Sequence, residues 1–62
     1  MDISVCYHGS LVSLTPVSEA GEEWLTGNLP DDVQCLGRSR MCEPRYSDPI
    51  IEGAMADGME VA

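Results

Sequence analysis

Acidic residues are the part of this sequence whose types and spacing most clearly suggest chemistry. Glu22 and Glu23 come directly before Trp24, and Asp31 and Asp32 follow it within the same stretch, AGEEWLTGNLPDD. Carboxylates spaced several ångströms apart can imitate a nucleic-acid phosphate backbone and attract surfaces rich in Lys and Arg. The stretch therefore raises two alternatives: a surface that binds a basic partner, or acids that only keep a small helix in solution.

Local energetics do not separate these alternatives. On a helix, Glu19, Glu22 and Glu23 are neighbours, and like charges at that spacing cost about 0.2–0.5 kcal/mol per pair. Their position near the helix start offsets this by about 0.3–1 kcal/mol. A surface made only for solubility usually mixes both signs, whereas this chain has no lysine. We therefore predict a partner-binding surface of six acids: Glu19, Glu22, Glu23, Asp31, Asp32 and Glu52.

Thiol and imidazole groups offer a second chemistry. Cys6 and His8 share one face of a predicted strand, where they could hold a metal or form a nucleophile–base pair. Structural zinc sites pair ligands at C-x₂₋₄-C spacing, which Cys6, Cys35 and Cys42 lack, and there is no phosphate-binding loop. We interpret the cysteines as reduced, buried thiols, and we predict a non-enzymatic chain with no metal and no cofactor.

The net charge limits the classes of partner. Eleven acids against three arginines give −8 over 62 residues. This argues against direct binding of nucleic acid or of an anionic membrane, both of which need cations, and it favours a basic protein partner. Arg38, Arg40 and Arg45 are expected to pair with Glu43 or other nearby acids; the alternative is a recognition spot within an acidic surface.

The chain start and the chain length set two further expectations. The amino terminus, MDISVCYHGS, has neither the positive region nor the long apolar run of a signal peptide. We therefore expect a cytoplasmic protein. Sixty-two residues allow one domain, residues 1–62, with a thin core.

The predicted elements place the acids on helices. Residues 2–8 and 10–15 alternate like strands, with a tight turn at Gly9, and predict a β-hairpin. A helix follows, capped by Ser18 or by Thr15 with Pro16, and it ends near Asn28. Its predicted apolar face consists of Val17, Ala20, Gly21, Trp24, Leu25 and Asn28. The opposite face carries Glu19, Glu22, Glu23 and Thr26.

The second half of the chain predicts a strand, a helix and a closing strand. Residues 33–43 alternate around Gly37, which marks either a bulge or the division between two short strands. The second helix is capped by Ser47 or Asp48, opens at Pro49 and ends before Gly58. Residues 59–62 form the last strand. The order β-β-α-β-α-β predicts a small α+β domain: a four-stranded, mostly antiparallel sheet with two helices on one face.

Several motifs resemble a family of small phage, plasmid and other mobile-element proteins. The family pattern runs His-Gly-Ser, Leu-Thr-Pro, Trp-Leu, a glycine-centred strand, Glu-x-Arg-Tyr and Gly-Ala-x-x-Asp-Gly. It matches most of this chain, at the positions His8–Ser10, Leu14–Pro16, Trp24–Leu25, Gly37, Glu43–Tyr46 and Gly53–Gly58. Arg38-Ser39-Arg40 departs from it, because more apolar residues are expected there. The family carries no established activity to transfer.

The resemblance implies a role in conflict between a mobile element and its host. Small acidic mobile-element proteins include anti-CRISPR inhibitors, several of which use carboxylates to block a DNA-binding surface. By this analogy we expect stoichiometric inhibition of a basic nucleic-acid-binding complex, most simply a CRISPR effector. The alternative is a non-enzymatic phage or plasmid accessory protein, in one form a homodimer, whose acidity serves only solubility.

Overall fold

The fold is built on a four-stranded antiparallel sheet. In the computed structural model, which describes residues 1–29 and 33–62, the elements follow the order β-β-α-β-β-α. Their bounds are β1 Ile3–His8, β2 Leu11–Pro16, α1 Glu19–Asn28, β3 Gln34–Leu36, β4 Ser39–Cys42 and α2 Pro44–Ala56. The spatial strand order is β1-β2-β4-β3, with every neighbouring pair antiparallel. The predicted α+β class is confirmed.

Both helices cover the same face of this sheet. The register pairs Val12 with Cys42 and Val5 with Leu14, so their side chains point to one side together with Ile3. Leu25 of α1 and Ala54 of α2 join this group in a single buried cluster. The predicted placement of two helices on one face is therefore confirmed.

Glycine turns define both hairpins. Gly9 and Gly37 have φ angles of 67° and 63°, which suit the first central position of a two-residue turn. Gly37 thus divides residues 33–43 into β3 and β4. Of the two interpretations of this glycine, the division between two short strands is confirmed and the bulge is wrong. With this split, the fourth strand of the sheet is Ser39–Cys42 rather than the end of the chain.

The predicted closing strand is reduced to a short parallel contact. Val61 forms a single bridge to Ile3, and residues 60–62 exchange backbone hydrogen bonds with the outer edge of β1. The end of α2 directs the chain there. The N–H of Met59 donates to the Ala54 carbonyl at 2.9 Å, and Gly58, with φ 91°, donates to Met55 at 3.1 Å. These two bonds form a Schellman cap, which confirms the predicted role of Gly58.

The start of α2 differs from the prediction. The helix begins at Pro44 with Glu43 as N-cap, and Pro49 lies inside it. Pro44 at the first helical position explains the earlier start, because its fixed φ suits a helix and its missing N–H is not needed there. Ser47 is not a cap: it is buried, and its hydroxyl donates to the Pro44 carbonyl at 3.1 Å.

Asp2 joins three parts of the chain. Its carboxylate accepts from the Ser18 hydroxyl at 2.6 Å and from the Glu60 N–H at 2.9 Å. Its backbone carbonyl accepts from the N–H of Val17 at 2.8 Å. Ser18 in turn accepts from the Gly21 N–H at 3.0 Å, which confirms it as the N-cap of α1. The first turn of α1 is thereby held against the start of β1.

Candidate binding surface

Helix α1 carries three of the six predicted partner-binding residues. Glu19 and Glu23 are exposed and are one helical turn apart, a spacing of about 5–6 Å between Cβ atoms. Among residues 1–29 and 33–62 neither forms an ion pair. These two carboxylates form the outward acidic pair of α1.

Glu22 does not share that outward face, which corrects the prediction. Its carboxylate lies 3.2 Å from Arg40 Nη2 and 3.5 Å from Arg38 Nη2, and its side chain is 40% exposed. At 100° per residue Glu22 lies only 60° around the helix from the buried Leu25, so it points toward the sheet margin. The helical pattern alone could not show that two arginines of the β3–β4 hairpin would meet it there.

Arg40 is the centre of this contact. Its side chain is only 14% exposed. The guanidinium also donates to the Arg38 carbonyl at 2.9 Å and to the Thr26 hydroxyl at 3.4 Å. A guanidinium with this many acceptors is well satisfied even when partly buried. The contact therefore links the β3–β4 hairpin to α1 through Glu22.

The arginines are expected to pair with acids, and the described residues confirm it. Arg38 and Arg40 bind Glu22, and Arg45 Nε lies 3.8 Å from Glu43 Oε2. Arg45 also lies 4.9 Å from the ring centre of Tyr46, within cation–π range. Each arginine is thus adjacent to a carboxylate, and the outward pair of α1 is not among those carboxylates.

The remaining predicted acids do not extend the α1 pair in the described structure. Glu52 is exposed on α2. It lies about 100° around the helix from Gly53, the residue that faces the Trp24 ring of α1. Asp31 and Asp32 lie outside the described residues. The structure therefore brings Glu19 and Glu23 together, pairs Glu22 with two arginines, and places Glu52 on the second helix.

Trp24 links the two helices. Its ring lies against Gly53, and its Nε1–H donates to the Asp57 carboxylate at 2.7 Å. The ring is half-buried, in agreement with its predicted place on the apolar face. Asp57 is 33 positions away in the chain, so no local pattern identifies it as the partner of the indole.

Acidification is expected to destabilise the fold through Glu22 and Asp2. The hydrogen bond from Arg40 lowers the pKa of Glu22, and the hydrogen bonds from the Glu60 N–H and then from Ser18 lower the pKa of Asp2. Because the folded-state pKa values lie below the unfolded ones, the unfolded chain binds more protons between them. This stabilisation is complete above about pH 5 and is lost as the pH falls through the folded-state values.

Urea unfolding at a series of pH values measures this effect. The urea concentration at the unfolding midpoint should decrease as the pH is lowered below about 5. Glu22→Gln should lower the midpoint at neutral pH, and the difference from the wild type should disappear at a pH low enough to protonate Glu22. A difference that persisted unchanged into strong acid would show that the charge of Glu22 does not stabilise the fold.

The thiols and His8 do not assemble a metal site within the described residues. No group of three His, Cys, Asp or Glu side chains suitable for a metal occurs there. His8 Nε2 lies 3.1 Å from the Ser13 hydroxyl, which reaches the Cys6 carbonyl at 3.4 Å. All three cysteines are free. Their burial was predicted wrongly for Cys6 and Cys35, which are exposed, and correctly for Cys42, whose thiol pKa is raised by burial.

A groove opens where the β3–β4 hairpin meets the first half of α2. It has a volume of about 670 Å³ and is lined mainly by apolar side chains, including Met41, Tyr46 and Ile50. Glu43 is the charged residue among its described lining residues. Cys6 and His8 are not among the described residues that line it.

Neither described helix has the length and apolar character needed to cross a bilayer. Comparison of the chain with protein-family models, curated proteins and solved structures finds no match.

Proposed function

We propose that this chain is a stoichiometric inhibitor, encoded by a phage or another mobile element, of a host defence complex of the CRISPR type. It acts in the bacterial cytoplasm, where its carboxylates occupy a basic groove that otherwise binds nucleic acid. The partner is a Lys/Arg-rich protein complex and not nucleic acid itself. The mechanism is occlusion, so it needs no catalytic group, metal or cofactor in this chain.

One observation supports this proposal most directly. The arginines are adjacent to Glu22 and Glu43, while Glu19 and Glu23 project from α1 without an ion-pair partner in the described structure. The net charge of −8 is therefore carried largely by carboxylates such as these. A basic groove gains most from acids of this kind, because no internal pair must first be broken.

The structure changes which residues should be altered in a test. Reversing Glu22 would break its ion pairs with Arg38 and Arg40, and a loss of inhibition could then reflect a damaged fold. Glu23→Lys and Asp48→Lys form a better pair, because both residues are exposed on a helix and outside the described ion pairs. Each substitution changes the net charge by the same amount, from −8 to −6.

Competition with DNA measures the outcome. A purified CRISPR effector complex bound to labelled target DNA is titrated with the chain at increasing salt. We expect displacement at about one chain per complex, weakening as salt rises. Glu23→Lys should weaken it about tenfold, which is roughly 1.4 kcal/mol, and Glu19→Lys/Glu23→Lys further, while Asp48→Lys should have little effect.

Three results would count against the proposal. Equal losses from Glu23→Lys and Asp48→Lys would indicate that only overall charge matters. Inactivation far below one chain per complex would indicate catalysis. The accessory-protein alternative, which the structural role of Glu22 favours, predicts no displacement from any effector complex at low salt.

A further inference from the structure

The two edges of the sheet differ in how far other parts of the chain cover them. The outer edge of β1 is partly covered: the N–H of Ile3 donates to Glu60 at 3.0 Å and that of Val5 to Ala62 at 2.7 Å. At the opposite edge, β3 pairs only with β4 among the described residues. An edge strand presents backbone N–H and C=O groups to any strand that can align with them.

The hairpin register shows which backbone groups of β3 point outward. A two-residue turn, Gly37–Arg38, joins Leu36 to Ser39, and the pair that closes such a turn exchanges both hydrogen bonds. Hydrogen-bonded and non-hydrogen-bonded pairs then alternate, so Cys35 directs its N–H and C=O away from β4. The β1–β2 hairpin tests this counting: it places Ile3 and Val5 outward, where both do bond residues 60–62.

The side chains of β3 leave this edge unprotected. Gln34, Cys35 and Leu36 are all exposed and uncharged, and Leu36 is 64% exposed. Natural edge strands are commonly guarded by lysine, proline or an inward-pointing charge. Arg40 lies opposite Cys35 on β4, and its charge is already paired with Glu22.

We propose that two copies of this chain pair antiparallel through β3, about a two-fold axis at Cys35. The N–H of Cys35 in each copy then donates to the Cys35 carbonyl of the other, which joins the two sheets into one of eight strands. A second copy is the favoured occupant because this contact is self-complementary, as a two-fold interface requires. The interface uses neither Glu19 nor Glu23, so it does not depend on the proposed inhibitory function.

This arrangement makes a sharp chemical prediction. Directly opposed residues of a hydrogen-bonded antiparallel pair have Cα atoms about 5.5 Å apart, which lies within the range that a disulfide can span. Diamide oxidises two thiols to one disulfide and takes up their two hydrogens to become a hydrazine. Wild-type protein and Cys6→Ser should form a covalent dimer with diamide, and Cys35→Ser should form at least tenfold less. Because the Cβ atoms of such a pair are about 5.5 Å apart and a disulfide holds them at about 3.5–4.5 Å, the bridge requires a small local movement. Equal cross-linking of Cys6→Ser and Cys35→Ser would overturn the proposal.

Sedimentation equilibrium under reducing conditions tests the backbone contact itself. Cys35→Ser keeps the outward N–H and should still dimerise, whereas Cys35→Pro removes it without removing a bond to β4 and should sediment as a monomer. Far-UV circular dichroism checks that Cys35→Pro folds; if it does not, the diamide contrast decides. Wild-type sedimentation as a monomer at millimolar concentration would also overturn the proposal.

Salt dependence separates this proposal from the inhibitory one. Two chains of charge −8 repel each other, so rising salt should strengthen the dimer, whereas it should weaken a complex with a basic partner. A dimer that strengthens with salt can be observed whether or not the chain binds a basic partner, and the reverse also holds.

Discussion

Gly21→Ala is expected to lower the free energy of unfolding by about 3 kcal/mol. A Cβ atom at this position would lie 2.1 Å from the backbone carbonyl oxygen of Asp2, a distance that no side-chain rotation can relieve. Either α1 or the start of β1 must move, and the hydrogen bonds that Ser18 and Val17 make to Asp2 would then be lost. A 62-residue domain has about 3–9 kcal/mol of stability in total, so this change removes much of it.

Gly27→Ala supplies the matched control. Gly27 lies in the same helix, is exposed, and has nothing within 4 Å of an added Cβ. The same substitution there should stabilise the protein by about 0.5–1 kcal/mol, since alanine favours helix more than glycine does. Urea denaturation of both variants measures the contrast. If Gly21→Ala were as stable as the wild type, α1 could not lie as close to Asp2 as described.

Leu25→Ala is the second change with a large expected effect, a loss of about 2–5 kcal/mol. Leu25 is fully buried, with no solvent exposure, in the cluster that contains Ile3, Leu14 and Ala54. Removing its branched end loses hydrophobic burial and leaves a cavity that the surrounding strands and helices can only partly fill. If the loss is at the upper end of this range, Leu25→Ala should be largely unfolded at room temperature and should show no cooperative thermal transition above it.

Leu36→Ala is the corresponding control because it makes the same chemical change at an exposed site. Leu36 lies on β3 outside the core, so its truncation should change the free energy of unfolding by less than about 0.5 kcal/mol. Both variants should be measured at the same low protein concentration, so that any self-association through β3 does not affect the comparison. A similar loss in the two variants would contradict the assignment of Leu25 to the centre of the core.

Local rules predicted the features that local chemistry determines. The alternation of Ile3, Val5 and Tyr7 predicted β1, Ser18 predicted the start of α1, and Gly58 predicted the end of α2. Each depends on residues within a few positions of one another. Gly37 left two readings open, since an interior glycine is compatible with a bulge and with a turn.

Long-range contacts decided what the sequence could not show. The pairing of Glu22 with Arg40 joins residues 18 positions apart, and a helical projection has no information about the strand beneath it. The same limit applies to the end of the chain, where the pattern around Val61 suggested a strand but only a single bridge forms. The start of α2 was predicted wrongly even though its signal is local. Both Pro44 and Pro49 suit a first helical position, and the prediction chose Pro49 whereas the helix begins at Pro44.

The bond between Asp2 and the Glu60 N–H has a consequence for the order of folding. It connects positions 58 apart, so nearly the whole chain must be drawn into a loop before it can form. The β1–β2 hairpin needs only a two-residue turn and can form first. Residues 60–62 therefore dock late, and a substitution that weakens their contact with β1 accelerates unfolding while leaving the folding rate nearly unchanged.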